Sequence, residues 1–168
     1  VLYNRINATN IAIVDFLKKK GITEEEISIN APEIIDMQAE RYVGENKTYR
    51  YNVTTVITVT SAKVDLVRSL ISEQSELLKQ GIAITGGDYR YQIQYDYTSL
   101  NEIKPKMIEE ATKNAREAAL KFAKDSDSEL GKIRRASQGQ FSIDNRDANT
   151  PYIKRIRVVT TIDYLLED

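Results

Sequence analysis

Residues 49–60 read YRYNVTTVITVT, and this stretch decides the fold. Aromatic, aliphatic and threonine side chains alternate in it with mostly polar ones. Successive side chains of a β-strand point to opposite faces, so the alternation predicts a strand with one buried face. Residues 27–39 alternate in a similar way, and a turn-forming segment at 44–47 separates the two runs. Together the two runs predict a long antiparallel hairpin.

A similar sequence occurs near the end of the chain: NVTTVI at 52–57 resembles RVVTTI at 157–162. Each phrase lies in the second strand of a predicted hairpin. Each hairpin follows a helical pattern and a glycine, which is Gly21 in the first case and Gly131 in the second. This recurrence predicts a duplicated α-β-β unit.

The repeat also predicts how the chain is divided. The halves are 1–61 and 98–168, and residues 62–97 join them. No segment rich in Gly, Ser or Pro separates the halves. Residues 1–168 are therefore predicted to form a single domain or two closely packed lobes.

Three long helices are predicted from apolar residues spaced three and four apart. A strand rich in tyrosine is predicted at 82–97, between the second and third helices. Alanines in the third helix are expected to let it lie close against a sheet. The protein is therefore predicted to be α+β, with three long helices on mostly antiparallel sheets. The predicted apolar stripes comprise Tyr3, Ile6, Ile13 and Leu17; Val64, Val67, Ile71 and Leu78; and Ile108, Ala111, Ala115, Ala118 and Phe122.

The composition removes several kinds of chemistry. The chain has no Cys and no His, which excludes thiol nucleophiles, disulfides, Cys- or His-based zinc sites and imidazole acid–base catalysis. Carboxylate pairs are present, but they fall on predicted helix exteriors. Residues 125–129, DSDSE, lack the central Gly and the final Glu of an EF-hand loop. We therefore expect no enzyme activity, no bound metal and no cofactor.

The charge balance bears on partners. The 24 Lys and Arg nearly cancel the 25 Asp and Glu, for a net charge of −1. Nucleic-acid binders usually carry a basic excess, because phosphate contacts dominate their affinity. No apolar run reaches the length of about 18 residues that suggests a membrane span. We expect neither a nucleic-acid partner nor a membrane span.

The tyrosines are the candidate binding residues. Tyr89, Tyr91, Tyr95 and Tyr97 would share one face of the predicted strand. Exposed, such a row can stack on sugar rings or bases. The alternative is that aromatic residues suit strands, and that these four cover a sheet face or an interface between copies.

Several segments resemble the SIMPL-domain family. NAREAALKFA at 114–123 followed by LGKI at 130–133 is similar to the family's A-R-x-x-A helix and L-G-x-I motif. The closing strand at 156–166, with its aromatic residue before Leu, resembles the family's last strand. Residues 49–60 are similar to its Y-x-A-x-x-x-V-x-V strand, with Val53 in place of Ala.

The resemblance covers essentially the whole chain and implies an exported protein, periplasmic or otherwise extracytoplasmic. It also implies a signal segment and a first β-strand, both expected to precede Val1. Members of the family are oligomers, some of them ring-like, and have no agreed catalytic residues. We therefore expect a non-enzymatic envelope protein that associates with itself. The alternative hypothesis is a module that binds a cell-wall glycan or a small envelope ligand through the tyrosine row.

Overall fold

The computed structural model describes residues 1–39, 49–85 and 92–168, and it confirms the α+β class. The second predicted helix is divided at Gln74 into two shorter helices. The turn predicted at 44–47 lies outside the described residues. The helices are α1 (Leu2–Lys19), α2 (Val64–Glu73), α3 (Ser75–Lys79) and α4 (Leu100–Asp125), and a 3₁₀ turn spans Glu24–Glu26.

The strands pair as antiparallel hairpins, as predicted. Each hairpin consists of two successive strand pairs, one near its ends and one near its connecting turn. In the first hairpin β1 pairs with β4 and β2 with β3, and in the second β5 pairs with β8 and β6 with β7. The strands are β1 (Ile27–Ile29), β2 (Glu33–Asp36), β3 (Tyr51–Thr54), β4 (Ile57–Val59), β5 (Glu129–Gln138), β6 (Ser142–Asn145), β7 (Lys154–Arg157) and β8 (Thr160–Glu167).

The chain divides into two compact units, Val1–Gln92 and Ile93–Asp168. The first contains α1, the first hairpin, α2 and α3. The second contains α4 and the second hairpin. Contacts of α4 with β5 and β8 hold the second unit together.

The first unit has a small apolar core where α1 ends. Phe16, Leu17, Ile22, Leu70 and Leu77 form one buried cluster. Gly21 has a φ of 107°, which reverses the chain after α1 and places Ile22 in the core. Burial of these side chains, each contributing roughly 1.5–3 kcal/mol, is the main stabilisation of this unit.

Both helices that precede a hairpin end in the same motif. After α1, the Gly21 N–H donates to the Lys18 carbonyl and the Ile22 N–H to the Leu17 carbonyl. After α4, the equivalent donors are Asp127 and Ser128, and Asp127 has a φ of 54°. These are the two hydrogen bonds of a Schellman motif. The corresponding residues of the two helix ends are Phe16 and Phe122, Leu17 and Ala123, Lys18 and Lys124, and Gly21 and Asp127.

Both hairpins are also interrupted in the same way. In the first, residues 30–32 face residues 55–56, and the Asn30 N–H donates to the Val56 carbonyl at 2.9 Å. In the second, residues 139–141 face residues 158–159, and the Gly139 N–H donates to the Val159 carbonyl at 2.8 Å. An extra residue on one strand is a β-bulge, which bends the hairpin.

Several local predictions were wrong. The strand predicted at 82–97 is absent from its described parts, residues 82–85 and 92–97, where no partner strand completes a ladder. The strand predicted after Gly131 begins instead at Glu129, because Asp127 already reverses the chain. Gly131 therefore lies within β5, where an added Cβ would be only 2.9 Å from the Leu165 carbonyl oxygen.

Two predicted apolar stripes are displaced. On α4, Ala119 and Ala123 continue the packed face, whereas Ala118 and Phe122 are exposed. The packed residues of α4 are spaced four residues apart, which is slightly more than one helical turn. The packed face therefore shifts gradually around the helix axis. On α2 and α3, the buried residues are Leu70 and Leu77, and the predicted Val64, Ile71 and Leu78 are exposed.

Candidate functional site

Of the four tyrosines predicted to form one row, the structure describes Tyr95 and Tyr97, and their segment, residues 92–97, is not part of a strand. Tyr89 and Tyr91 lie outside the described residues. Tyr95 is half-buried, and its ring centroid lies 6.0 Å from that of Tyr152 at an interplanar angle of 65°. This is the edge-to-face arrangement that aromatic pairs favour. Tyr97 remains at the surface, 36% exposed.

Tyr95 lines a hollow of about 260 Å³ in the second unit. Ile93 and Pro151 supply apolar surface, and Gln94, Asp96, Asn145 and Lys154 supply polar groups. A carboxylate, two amides and an ammonium thus surround one tyrosine. The set offers both donors and acceptors beside an aromatic ring, which suits a small ligand that carries several hydroxyl groups.

The second hairpin positions the far side of this hollow. Asn145 and Lys154 are direct partners in the β6–β7 pairing, and the Lys154 Nζ donates to the Asn145 Oδ1. Beyond them, the Arg146 N–H donates to the Ile153 carbonyl at 2.9 Å and closes the connecting loop.

Asp147 organises that loop. Its Oδ1 accepts hydrogen bonds at 2.9 Å from the backbone N–H groups of Asn149 and Thr150, and its Oδ2 lies 3.1 Å from the Arg146 Nε. Hydrogen bonds from Thr150 and Arg146 lower the pKa of Asp147. The ordered loop places Pro151 and Tyr152 beside Tyr95.

Sequence reasoning did not identify Tyr152 as the ring that packs on Tyr95, or Asn145 and Asp96 as residues that line the hollow. A local signal for the loop was present, because Asp147, Asn149 and Thr150 are typical of a side-chain-capped turn. No sequence signal indicated that this loop lies against the segment around Tyr95.

A second polar cluster surrounds Glu26 in the first unit. Its Oε1 accepts hydrogen bonds from the backbone N–H and the side-chain hydroxyl of Thr23, both at 2.9 Å, as part of a capping box. The Lys63 Nζ lies 3.1 Å from the same oxygen and 2.9 Å from the Gly21 carbonyl oxygen. A hydrogen bond with Ser61 is the largest cause that lowers the pKa of Glu26 to about 2. The cluster fastens the start of the first hairpin to the residues that lead into α2.

A hollow of about 360 Å³ lies in the first unit, where α1 meets α3. The Lys20 Nζ at its edge is 3.2 Å from the Glu73 carboxylate and 3.1 Å from that of Glu76, and it lies above the Phe16 ring. These carboxylates raise the pKa of Lys20. Lys20 is therefore engaged in joining α1 to the α2–α3 pair.

The described residues contain no group of three or more acidic side chains arranged to hold a metal ion. The acidic segment 125–129 forms the end of α4, the chain reversal at Asp127 and the start of β5. No helix in the described part of the chain is long and apolar enough to cross a membrane.

Comparison with known proteins bears on the family. No match is found among curated proteins. The sequence profile of the SIMPL family, described as a protein of unknown function (DUF541), matches residues 1–159. This match spans nearly the whole chain and confirms the resemblance identified from the sequence motifs. The protein belongs to the SIMPL family.

Proposed function

We propose that this protein is a non-enzymatic protein of the cell envelope that functions by associating with copies of itself. The observation that carries the proposal is the apolar surface of the second unit. Ala123 is the sole buried hydrophobic residue there, in a unit whose residues are all described. Exposed large hydrophobic residues in this unit include Ile93, Leu120, Phe122, Ile133, Ile143, Val159, Leu165 and Leu166. Large hydrophobic side chains exposed in such number are typical of proteins that bury them against a partner.

The strand edges are a second support. Each sheet of the described residues has two strands, so each strand has one edge without a ladder partner. Such edges present backbone donors and acceptors that can pair with another chain. The envelope location is supported by the family resemblance alone, and the non-enzymatic character by the absence of Cys and His.

Self-association predicts a mass above 19.1 kDa in solution. Light scattering coupled to size-exclusion chromatography, run over a dilution series, measures this directly. We expect the weight-average mass to rise with concentration, by mass action. A mass that remains at one chain throughout the series would refute the proposal. Fractionation of the native cells tests the location, and recovery with the cytoplasm would contradict it.

A second candidate function is binding of a small glycan or another hydroxyl-rich envelope ligand. The specific observation is the hollow that joins Tyr95 to Asp96, Asn145 and Lys154. Its volume suits a ligand of about one ring, because pockets for larger, drug-sized molecules begin near 300 Å³.

The Tyr95 hollow makes a testable prediction. If it binds a glycan, Tyr95→Ala should weaken retention on a glycan array about five-fold or more, by analogy with the roughly 1–3 kcal/mol that stacking on an aromatic side chain contributes for a base. Tyr97→Ala is the matched control, since Tyr97 does not line the hollow. Equal loss in both variants, or no retention of the parent protein, would exclude this function.

A further inference from the structure

The equivalent residues Phe16 and Phe122 have opposite environments. Each lies near the end of the helix before a hairpin, and its carbonyl accepts a hydrogen bond from the residue that caps the helix, Lys20 or Ser126. Phe16 is 7% exposed, whereas Phe122 is 73% exposed. The backbone position is the same, so the difference lies in what covers the ring.

In the first unit the cover is the α2–α3 pair. Leu70 and Leu77, which are seven residues apart and therefore on one side of these helices, belong to the same buried cluster as Phe16. Lys20 connects α1 to the pair through Glu73 and Glu76. The second unit, Ile93–Asp168, contains no helix corresponding to α2 or α3.

The α2–α3 pair also carries a second apolar stripe with the same spacing. Val64, Ile71 and Leu78 repeat every seven residues, and all three are exposed, Leu78 by 65%. We call these three residues the outer stripe. They have the same seven-residue spacing as Leu70 and Leu77, which cover Phe16 on the packed side of the pair.

We infer that the outer stripe of one copy docks on the Phe122 face of α4 in a second copy. The inference rests on the proposed self-association and specifies its contact surfaces. Ala118, one turn before Phe122 on the same side of α4, is exposed and small, so a helix can approach closely there.

The neighbouring charges are complementary. Lys79 follows Leu78, and Asp125 lies one turn after Phe122. Neither forms an ion pair within the described part of the chain, so each is available to the other across the contact. Opposite charges beside an apolar contact favour one orientation of the partners.

The two docking surfaces are different, so the contact is heterologous. Each copy keeps one free outer stripe and one free Phe122 face after pairing. Association of this kind continues until it closes into a ring or forms an open filament.

Complementation of two blocked variants tests the inference. Leu78→Asp blocks the outer stripe, and Phe122→Asp blocks the α4 face. Both side chains are exposed, so circular dichroism and thermal melting should match the parent, and Phe122→Ser is a milder second variant. Each blocked variant alone should have the mass of one chain. An equimolar mixture should form a one-to-one pair, because one free surface of each kind remains.

The controls are Ser72→Asp on α2 and Arg116→Asp on α4, which add negative charge at other exposed positions. Both should associate like the parent. If the parent associates but the blocked variants associate equally well, or their mixture remains monomeric, the docking inference is wrong and the proposed self-association stands. A parent that is monomeric at every concentration refutes both.

Discussion

Glu26 shows how a single side chain secures the first unit. Its carboxylate accepts hydrogen bonds from Thr23 and Lys63, and Lys63 also reaches the Gly21 carbonyl oxygen. The residues that leave α1 are thereby connected to those that enter α2. Charge-assisted hydrogen bonds of this kind are stronger than neutral ones. A carboxylate with this many donors favours its ionised form.

The lowered pKa of Glu26 predicts how stability depends on pH. The pKa falls from an ordinary 4.5 to about 2 in the folded protein. The unfolded chain therefore binds the proton more readily, and the stabilisation is complete above pH 4.5 and is lost as the pH falls towards 2. Thermal unfolding of the parent and Glu26→Gln should differ most at neutral pH and converge at acidic pH.

Glu25→Gln is the matched control for this prediction, because Glu25 is an exposed neighbour in the same 3₁₀ turn. It should melt like the parent at every pH. A difference between the parent and Glu26→Gln that stays constant from neutral pH down to pH 2 would contradict the proposed role of the carboxylate.

At the scale of elements, the α2–α3 pair differs most from a simple amphipathic helix. Its sequence places apolar residues at both Leu70 and Ile71, and again at both Leu77 and Leu78. Periodicity alone cannot decide which of two adjacent stripes is buried. The structure buries Leu70 and Leu77, because these face Phe16.

The adjacent leucines make a matched test of this assignment. Leu77 is 1% exposed, and Leu77→Ala should destabilise the protein by about 2–5 kcal/mol through lost burial and a cavity. Leu78→Ala should change the free energy of unfolding by no more than about 0.5 kcal/mol. Urea denaturation measures both. Similar losses in the two variants would mean that the pair is packed on the other stripe.

At the scale of the whole molecule, the repeat predicted from NVTTVI and RVVTTI is accompanied by matching backbone features. The Schellman motifs and the β-bulges occur at corresponding places in the two units. The correspondence is displaced, however. The first pair after the bulge is Glu33 with Thr54 in the first hairpin and Ser142 with Arg157 in the second. Thr54 therefore corresponds to Arg157 in the structure, whereas the sequence match aligned Asn52 with Arg157.

The displacement by two residues has a simple cause. Side chains in a strand alternate with a period of two, so such a shift keeps every side chain on the same face. Sequence similarity between alternating strands therefore leaves the register open. Hydrogen bonds across the strands settle it.

The sequence by itself determined the α+β class, the two hairpins, the approximate positions of the helical segments and the family. These depend on local periodicity and short motifs, which each segment carries alone. Only the tertiary structure decided which stripe of α2–α3 is buried, that Phe122 is uncovered while Phe16 is buried, and that Tyr95 lies against Tyr152. These features depend on contacts between segments that are distant in the sequence. Adjacent residues of α2 and α3 are equally apolar, so the sequence alone does not show which of them is buried. The stretch at 49–60 thus specified a strand, but its partners across the hairpin specified the register.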